Sequence, residues 1–313
     1  MPGVYIVILN YKNWQDVIAC LGSVLQSDYE TFTVIVIDND SQNNSLGHLA
    51  DWAGNNSFLL RSSTFLRLDS RDIDGDTDPA SFPRLVFIQN EKNDGFASGN
   101  NIALRILTHQ DAYIWLLNPD MIVKNDTLSE LVRFSDAQPA RSITGSVIKF
   151  HDRQEKVYMY GGGRIKFNSA TVSLIGEIGD IPLLDYISGG SLFTKAGSFR
   201  DLGLLPENYF LYWEETDWCY RARQRGYQLN ICMTAICYDK ISTTIGKGFL
   251  ADYYYTRNGL LFLAKYKKEA IPKALFFAGL RLTKRILAGR WARARGVYQG
   301  IHAFKKNKMN EGQ

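Results

Sequence analysis

Long apolar runs and paired cysteines are both wanting in this 313-residue chain. No stretch of about 18 uncharged apolar residues occurs, so no helix is expected to cross a membrane. Val4 to Leu9 opens as a strand-like run with neither a basic stretch nor a cleavage site before it, so a secretory signal is not expected either. The four cysteines, Cys20, Cys219, Cys232 and Cys237, form no C-x-x-C pair and are too sparse for a disulfide scaffold. Reduced thiols in the cytoplasm are the expectation. Internal repeats are missing, as are the Walker and dinucleotide glycine fingerprints. With 45% hydrophobic residues, the composition is that of an ordinary globular protein able to fill a core.

Charge is plentiful but unevenly placed. Thirteen Lys or Arg and a single acid, Glu269, fall between Ala264 and Lys308, a local charge of +12, whereas residues 1–263 carry −7. An acidic body with a basic tail suggests two separate jobs.

Apolar β-branched runs alternate with helical spacing along the first 120 residues. Val4–Leu9, Thr33–Ile37, Leu85–Ile88 and Tyr113–Leu117 read as strands. Trp14–Gln26, Leu46–Ala53 and Ala97–Leu107 read as helices, the first with Val17, Leu21, Val24 and Leu25 on one face. Such alternation predicts βαβ units and a Rossmann-like, mostly parallel sheet flanked by helices. Ligands bind beyond the carboxyl ends of such strands, and Asn10, Asp38, Asn90 and Asn118 are the first polar residues after the four runs. Residues 62–83 read as an irregular, solvated insertion. Its Asp72, Asp74, Asp76 and Asp78 alternate as in a calcium loop but lack the closing Glu. From Ser142 the pattern is β- and Gly-rich. It runs into an acidic-aromatic segment, Glu207 to Tyr220, then a helix to Arg225 stopped at Gly226. Beyond Asn258 the chain reads as helical and basic.

The segments VYIVILNY, VIDNDS, NDGFASGNN, WLLNPD, ISGGSLF and NYFLYWEETDWCYRARQRGY, in that order, resemble family 2 glycosyltransferases of the GT-A fold. Within them the likeness is to the bacterial rhamnosyltransferase-like branch that builds surface polysaccharides, and it covers about residues 4 to 260. The resemblance implies a GT-A catalytic domain over 1–260, with a nucleotide-binding half (1–120) and an acceptor half (121–260), and a basic amphipathic helical tail over 261–313. It also implies a nucleotide-diphosphate sugar as donor, dTDP-rhamnose first and UDP-hexoses next, and a saccharide or lipid-linked acceptor. Rival readings are a nucleotidyltransferase, for which the early basic pyrophosphate-gripping loop is missing, and a non-catalytic nucleotide-sugar or membrane-surface binding module.

Chemistry and resemblance meet at particular residues. A departing nucleotide diphosphate gains negative charge, which a divalent Mg or Mn ion offsets; such ions take oxygen ligands and need only one or two protein carboxylates. Asp120, after Asn118 and Pro119, would project at the sheet's carboxyl edge, with a turn-ordering role as the alternative. The resemblance puts a second metal position at Asp239, where this branch commonly has His, and that position is otherwise an outer support. Nucleotide contacts fall to Asn10, Tyr11, Asp38 and Asn39, with an Asx-turn or helix cap as the alternative for this cluster. Further contacts with the nucleotide sugar fall to Gly95, Phe96, Gly99 and Asn100 at a helix entrance, where the glycines either admit phosphate or serve a turn. Arg257, paired with Asn258, either reaches phosphate or forms a surface salt bridge. Gly189, Gly190, Ser191 and Trp213 fall to the acceptor side, with a tight turn as the alternative for the glycines.

An inverting transfer needs a base for the acceptor hydroxyl, and a partly dry carboxylate suits it. The family carries Glu-Asp where this chain has Glu214-Glu215, so the base maps onto Glu215, with Glu214 second. The alternative is that Glu214, Glu215 and Asp217 favour a helix dipole, with Asp217 paired to Arg221.

The tail mixes apolar residues with Lys and Arg. Val297, Ile301 and Phe304 follow i, i+4, i+7, as in a helix lying on an anionic membrane. A peripheral position at the cytoplasmic face of the inner membrane is expected. A helical cap on the catalytic domain, or a homodimer through these helices, is the alternative. No nucleic-acid reader motif is present.

Overall fold

The computed structural model describes residues 1–60, 64–74, 76–240 and 248–310. Ser62 and Gly75 of the insertion, Ile241 and Ser242 after Asp239, and Glu311 lie outside the described residues.

The first half alternates strand and helix as its hydrophobic periods dictate. It comprises β1 (Gly3–Asn10), α1 (Trp14–Val24), β2 (Phe32–Asn39), α2 (Ser45–Asn55), α3 (Ser57–Leu60), β3 (Leu66–Asp69), β4 (Leu85–Asn90), α4 (Phe96–Leu107) and β5 (Ala112–Leu117). Next come β6 (Met121–Val123), α5 (Thr127–Asp136), β7 (Ser142–Phe150), β8 (Val157–Tyr160), β9 (Gly162–Lys166) and β10 (Thr171–Leu174). The rest is β11 (Tyr186–Ile187), β12 (Ser191–Lys195), α6 (Ala196–Leu202), α7 (Glu214–Gln224), β13 (Gln228–Asp239), α8 (Phe249–Tyr266), α9 (Ile271–Leu287) and α10 (Trp291–Asn310).

The large sheet runs β3-β4-β2-β1-β5-β12-β7-β13-β6, with β8 added on β7. Its first five strands are parallel, and β12 is antiparallel to both β5 and β7. Strand alternation separates two cores. Val4, Ile6 and Ile8 pack with Val17, Leu21 and Val24 of α1 on one face. Tyr5 and Val7 pack with Ala103, Leu104 and Leu107 of α4 on the other. The chain moves from β1 to β2 on one side and returns past β1 to β5 on the other, a switch point of the kind where ligands bind.

Two expectations change. Residues 62–83 are not wholly irregular: β3 lies inside them and pairs in parallel with β4 as the sheet edge. Its neighbouring carboxylates serve local turns, Asp74 accepting from the Asp76 amide at 3.0 Å and Asp78 from the Ala80 amide at 3.0 Å. In the tail, Val297 and Phe304 are buried, so the stripe expected to face lipid faces protein. Gly296 and Gly300 bring α10 against α8: a Cβ there would stand 2.4 Å from the Phe249 carbonyl oxygen and 2.7 Å from that of Tyr253. Buried Asp252 of α8 draws in Arg285 at 2.8 Å and Arg293 at 2.5 Å, so part of the tail's charge is internal.

Candidate active site

The polar strand ends stand in register. Asn10 lies beside Asp38, Asp38 beside Gln89, and Asn39 beside Asn90. Asn10 donates to Asp38 at 2.6 Å, as do the Ser41 hydroxyl at 2.5 Å and Gln89 at 3.1 Å. Asp38 is therefore a buried carboxylate held in one orientation. It borders a cleft of about 360 Å³ that also takes in Asp40, Asn44, Arg67, Gln89 and Asn90. Tyr11 sits half-buried beyond the end of β1, under the Lys12 ammonium. Arg67 and Gln89 were missed from the sequence. Gln89 was one residue from the predicted strand end, but Arg67 sits on an edge strand whose four residues carry too little pattern to be seen.

Asn39 joins this cleft to the start of α4, donating to Asn93 Oδ1 at 2.9 Å and the Gly95 carbonyl at 3.3 Å. Here the glycines have a packing reason. Gly95 has φ 104°, and a Cβ on it would stand 2.2 Å from the Phe210 carbonyl oxygen; a Cβ on Gly99 would stand 2.5 Å from Leu9. The Phe96 amide is taken by the Phe210 carbonyl at 2.8 Å, and Asn100 donates to its own helix at Phe96. These contacts give Gly95 and Gly99 the packing role that was the alternative to cradling phosphate, along a seam between α4 and the loop before α7.

Asp120 is buried on the turn between β5 and β6. The Asn118 carbonyl closes that turn by accepting from the Met121 amide at 3.2 Å, and the Asn118 backbone amide donates to the Gly190 carbonyl at 3.0 Å. In the antiparallel pairing of β13 and β6, Asp239 stands opposite Met121, one register position from Asp120. Among the described residues no group of three His, Cys, Asp or Glu side chains is arranged to hold a metal. A pair of carboxylates, with other positions left to phosphate oxygens and water, suits Mg or Mn; the donor set fits such an ion.

The loop before α7 carries the most unusual backbone. Phe210, Tyr212 and Trp213 have φ of 66°, 64° and 80°, a left-handed region costly for bulky residues. Asn258, fully buried on α8, keeps the loop there: its amide donates to the carbonyls of Tyr209 at 2.7 Å, Leu211 at 2.7 Å and Tyr212 at 3.0 Å. Arg257 donates to Asn258 Oδ1 at 2.8 Å and to the Tyr209 carbonyl at 2.9 Å. Arg257, expected at phosphate or in a surface salt bridge, bonds to the loop, and it forms no salt bridge with a carboxylate among the described residues. Asp217, buried in the first turn of α7, binds Tyr209, Tyr266, Lys265 and Arg221 and ties α7 to α8.

At the end of this loop three consecutive residues each bury a polar atom with no hydrogen-bond partner: Trp213 Nε1, Glu214 Oε2 and Glu215 Oε2. Unsatisfied buried groups cost about 1–3 kcal/mol each, more when charged, so three in succession concentrate that cost at one point of the chain. Burial pushes the Glu214 carboxyl well above the ordinary glutamate range, and the neighbouring Glu215 charge pushes it further. Glu215 is also raised by burial, and the backbone amides of Glu215, Thr216 and Gly189 partly offset this. Glu215 is the more accessible of the two. Gly189 packs between Phe96 and Glu215, and Gly190 against Met121 and Asn118. The structure therefore brings Asn118, Gly189, Gly190, Phe96 and Glu215 into one contact chain, whereas the Trp213 ring packs against Tyr255, Gly259 and Phe262 of α8. Ser191 is outside it: its hydroxyl accepts from Trp115 at 2.9 Å and Ser146 at 2.7 Å in the core.

The chain is similar to several known proteins. Residues 72–181 match the family model described as Glycosyl transferase family 2. The low-salt glycan biosynthesis hexosyltransferase Agl10 of Haloferax volcanii is 23% identical over 152 residues, 47% of this chain and 49% of that protein. The dTDP-rhamnosyl transferase RfbF of Shigella flexneri is 27% identical over 186 residues, 56% of this chain and 61% of that protein. The chain thus spans about half to three fifths of these relatives' length. Among solved structures, the mannosyltransferase PcManGT from Pyrobaculum calidifontis, in complex with GDP-Man and Mn2+, has a TM-score of 0.61 at 15% identity, covering 98% of this chain and 88% of that one. Over residues 72–181 the chain is thus similar to family 2 glycosyltransferases, its fold is that of GT-A glycosyltransferase structures, and proteins named as rhamnosyl- and hexosyltransferases are among those it resembles.

Proposed function

We propose that this chain is an inverting, metal-dependent glycosyltransferase. It moves a sugar from a nucleotide-diphosphate donor to a saccharide or lipid-linked acceptor in surface-polysaccharide synthesis. The observation that carries the reading is the Trp213–Glu215 run of partnerless buried polar atoms, set against the Gly189–Gly190 turn and the Asn118–Asp120 turn.

The Asp38 cleft takes the nucleoside, with Asn10 and Gln89 fixing the carboxylate that meets it. Asp120 and Asp239 would hold a divalent Mg or Mn ion, which neutralises charge on the leaving diphosphate. Glu215, with raised proton affinity, takes the proton of the acceptor hydroxyl. The acceptor oxygen bonds to the anomeric carbon from the opposite face as the bond to phosphate breaks, and the electron pair leaves with the diphosphate. Glu214, buried and further raised, stays protonated beside Glu215 and spares it a second negative charge. Trp213 Nε1 donates to an acceptor hydroxyl. The RfbF likeness makes dTDP-rhamnose the first donor to test, followed by UDP-hexoses. The enzyme works at the cytoplasmic face of the membrane, held peripherally by its C-terminal helices.

A thermal-shift screen of nucleotide-diphosphate sugars with Mg or Mn tests the reading. A rise in melting temperature with one donor and an ion is expected; no shift with any donor under either ion sinks it.

A further inference from the structure

With the predicted stripe of α10 buried, the outer face of α9 is left without a partner. Lys273, Phe276, Phe277, Leu280, Lys284 and Leu287 recur at the three- and four-residue steps that align side chains on one helix face. All are exposed, Phe276 at 64% and Leu287 at 84%. At its end Arg290 and Trp291 extend the stripe, the indole 67% exposed. Other exposed large apolar residues, such as Phe58, Leu174 and Met233, are scattered over separate elements. A contiguous apolar strip of this kind marks an interaction surface.

We infer that this face of α9, with Trp291, lies in the headgroup region of an anionic lipid surface. It deepens the peripheral-membrane part of the proposed function. Charge selects this occupant. Residues 270 to 310 contain no acid at all, and Arg285 and Arg293, which do find a carboxylate, turn inward to Asp252. Lys273, Lys284 and Arg290 are exposed along or beside the apolar stripe. A second copy packed here by two-fold symmetry would set the same lysines against each other, with no acid on the face to neutralise them. An anionic bilayer answers both features: it accepts Phe and Leu into its acyl boundary, Trp at headgroup level, and Lys and Arg at its charged surface. No helix among the described residues is long and apolar enough to span, so the contact is one of lying on the surface.

The test is co-sedimentation of the full chain with vesicles of phosphatidylcholine alone or mixed with phosphatidylglycerol. The wild-type chain should pellet with mixed vesicles only and be released by salt. F276S/L287S and K273E/K284E should each weaken that binding roughly tenfold or more, with melting unchanged because these side chains are exposed. Binding that survives both pairs, absence of binding by the wild-type chain, or a solution dimer abolished by the same substitutions would overturn the inference. The readout needs no sugar transfer, so a chain that binds vesicles but turns over no donor separates this inference from the transferase reading.

Discussion

The two halves of the site are built on opposite principles. At the proposed nucleotide end the central polar groups are answered: Asp38 receives Asn10, Ser41 and Gln89, and Asn39 receives Asn90 and reaches Asn93. At the acceptor end three adjacent polar atoms are buried and unanswered, behind a loop in left-handed backbone. The first is a rigid receptor whose groups have little reason to move. The second holds strain and desolvated charge, which are sustained because Asn258 of α8 and Asp217 of α7, itself tied to α8, over-determine the loop. Satisfied groups favour binding, and unsatisfied ones favour chemistry, since a carboxylate kept dry is a stronger base.

Exchanging the base should break this contrast most severely. Glu215→Gln is expected to lower kcat about 100- to 10,000-fold while leaving the donor-induced thermal shift in place. Retained turnover would make the carboxylate pair structural and favour a binding module. Asp120→Asn should come next, abolishing the dependence of that thermal shift on Mg or Mn; an ion effect that persists would move the metal elsewhere.

Asn258→Ala removes the donor shared by three loop carbonyls and should cost about 1–3 kcal/mol of stability. If Asn258 positions the catalytic loop, kcat falls more than KM rises, and the acid limb of the kcat profile moves toward ordinary glutamate values as water enters. Asn258→Gln, which keeps the amide, should recover part of this. A loss of melting temperature alone, with the profile unmoved, would leave Asn258 a purely structural brace.

The smallest effect is on pH dependence, where activity and stability should run in opposite directions. Glu215 works as a base only when ionised, so kcat should fall as pH drops through its raised value, above the usual 4.5. A raised carboxyl contributes stability that is fully present below its unfolded value and lost as pH rises through its folded value. Melting temperature should therefore decline as pH rises above about 4.5 through the raised range of Glu214, and Glu214→Gln should flatten that decline. A pH-independent difference between the two chains would refute burial of an ionisable Glu214.

Legibility in the sequence followed the same division. β1, β2, β4 and β5 are continuous apolar runs, so their ends, and the polar residues at them, could be read directly. At the 93–101 stretch a helix entrance with two glycines suits phosphate and close packing equally, and only tertiary structure reveals the approach of Phe210 and Leu9 that gives the glycines a packing role. Ser191 looked available beside two glycines, yet strand alternation turns its hydroxyl toward Trp115. In the tail, the i, i+4, i+7 spacing correctly marked an apolar face, but spacing cannot say whether protein or lipid covers it.

By itself, then, the sequence determined the parallel α/β half, the placement of polar residues at its strand ends and the segregation of positive charge into the tail. These follow from hydrophobic period and composition, which are local. Tertiary structure alone decided that Asn258 braces a loop some 46 residues earlier in the chain, that Trp213, Glu214 and Glu215 each bury a polar atom with no hydrogen-bond partner, and that α10 turns inward while α9 faces out. Those outcomes depend on which distant groups meet and whether water is excluded, and neither is encoded in a window of neighbouring residues.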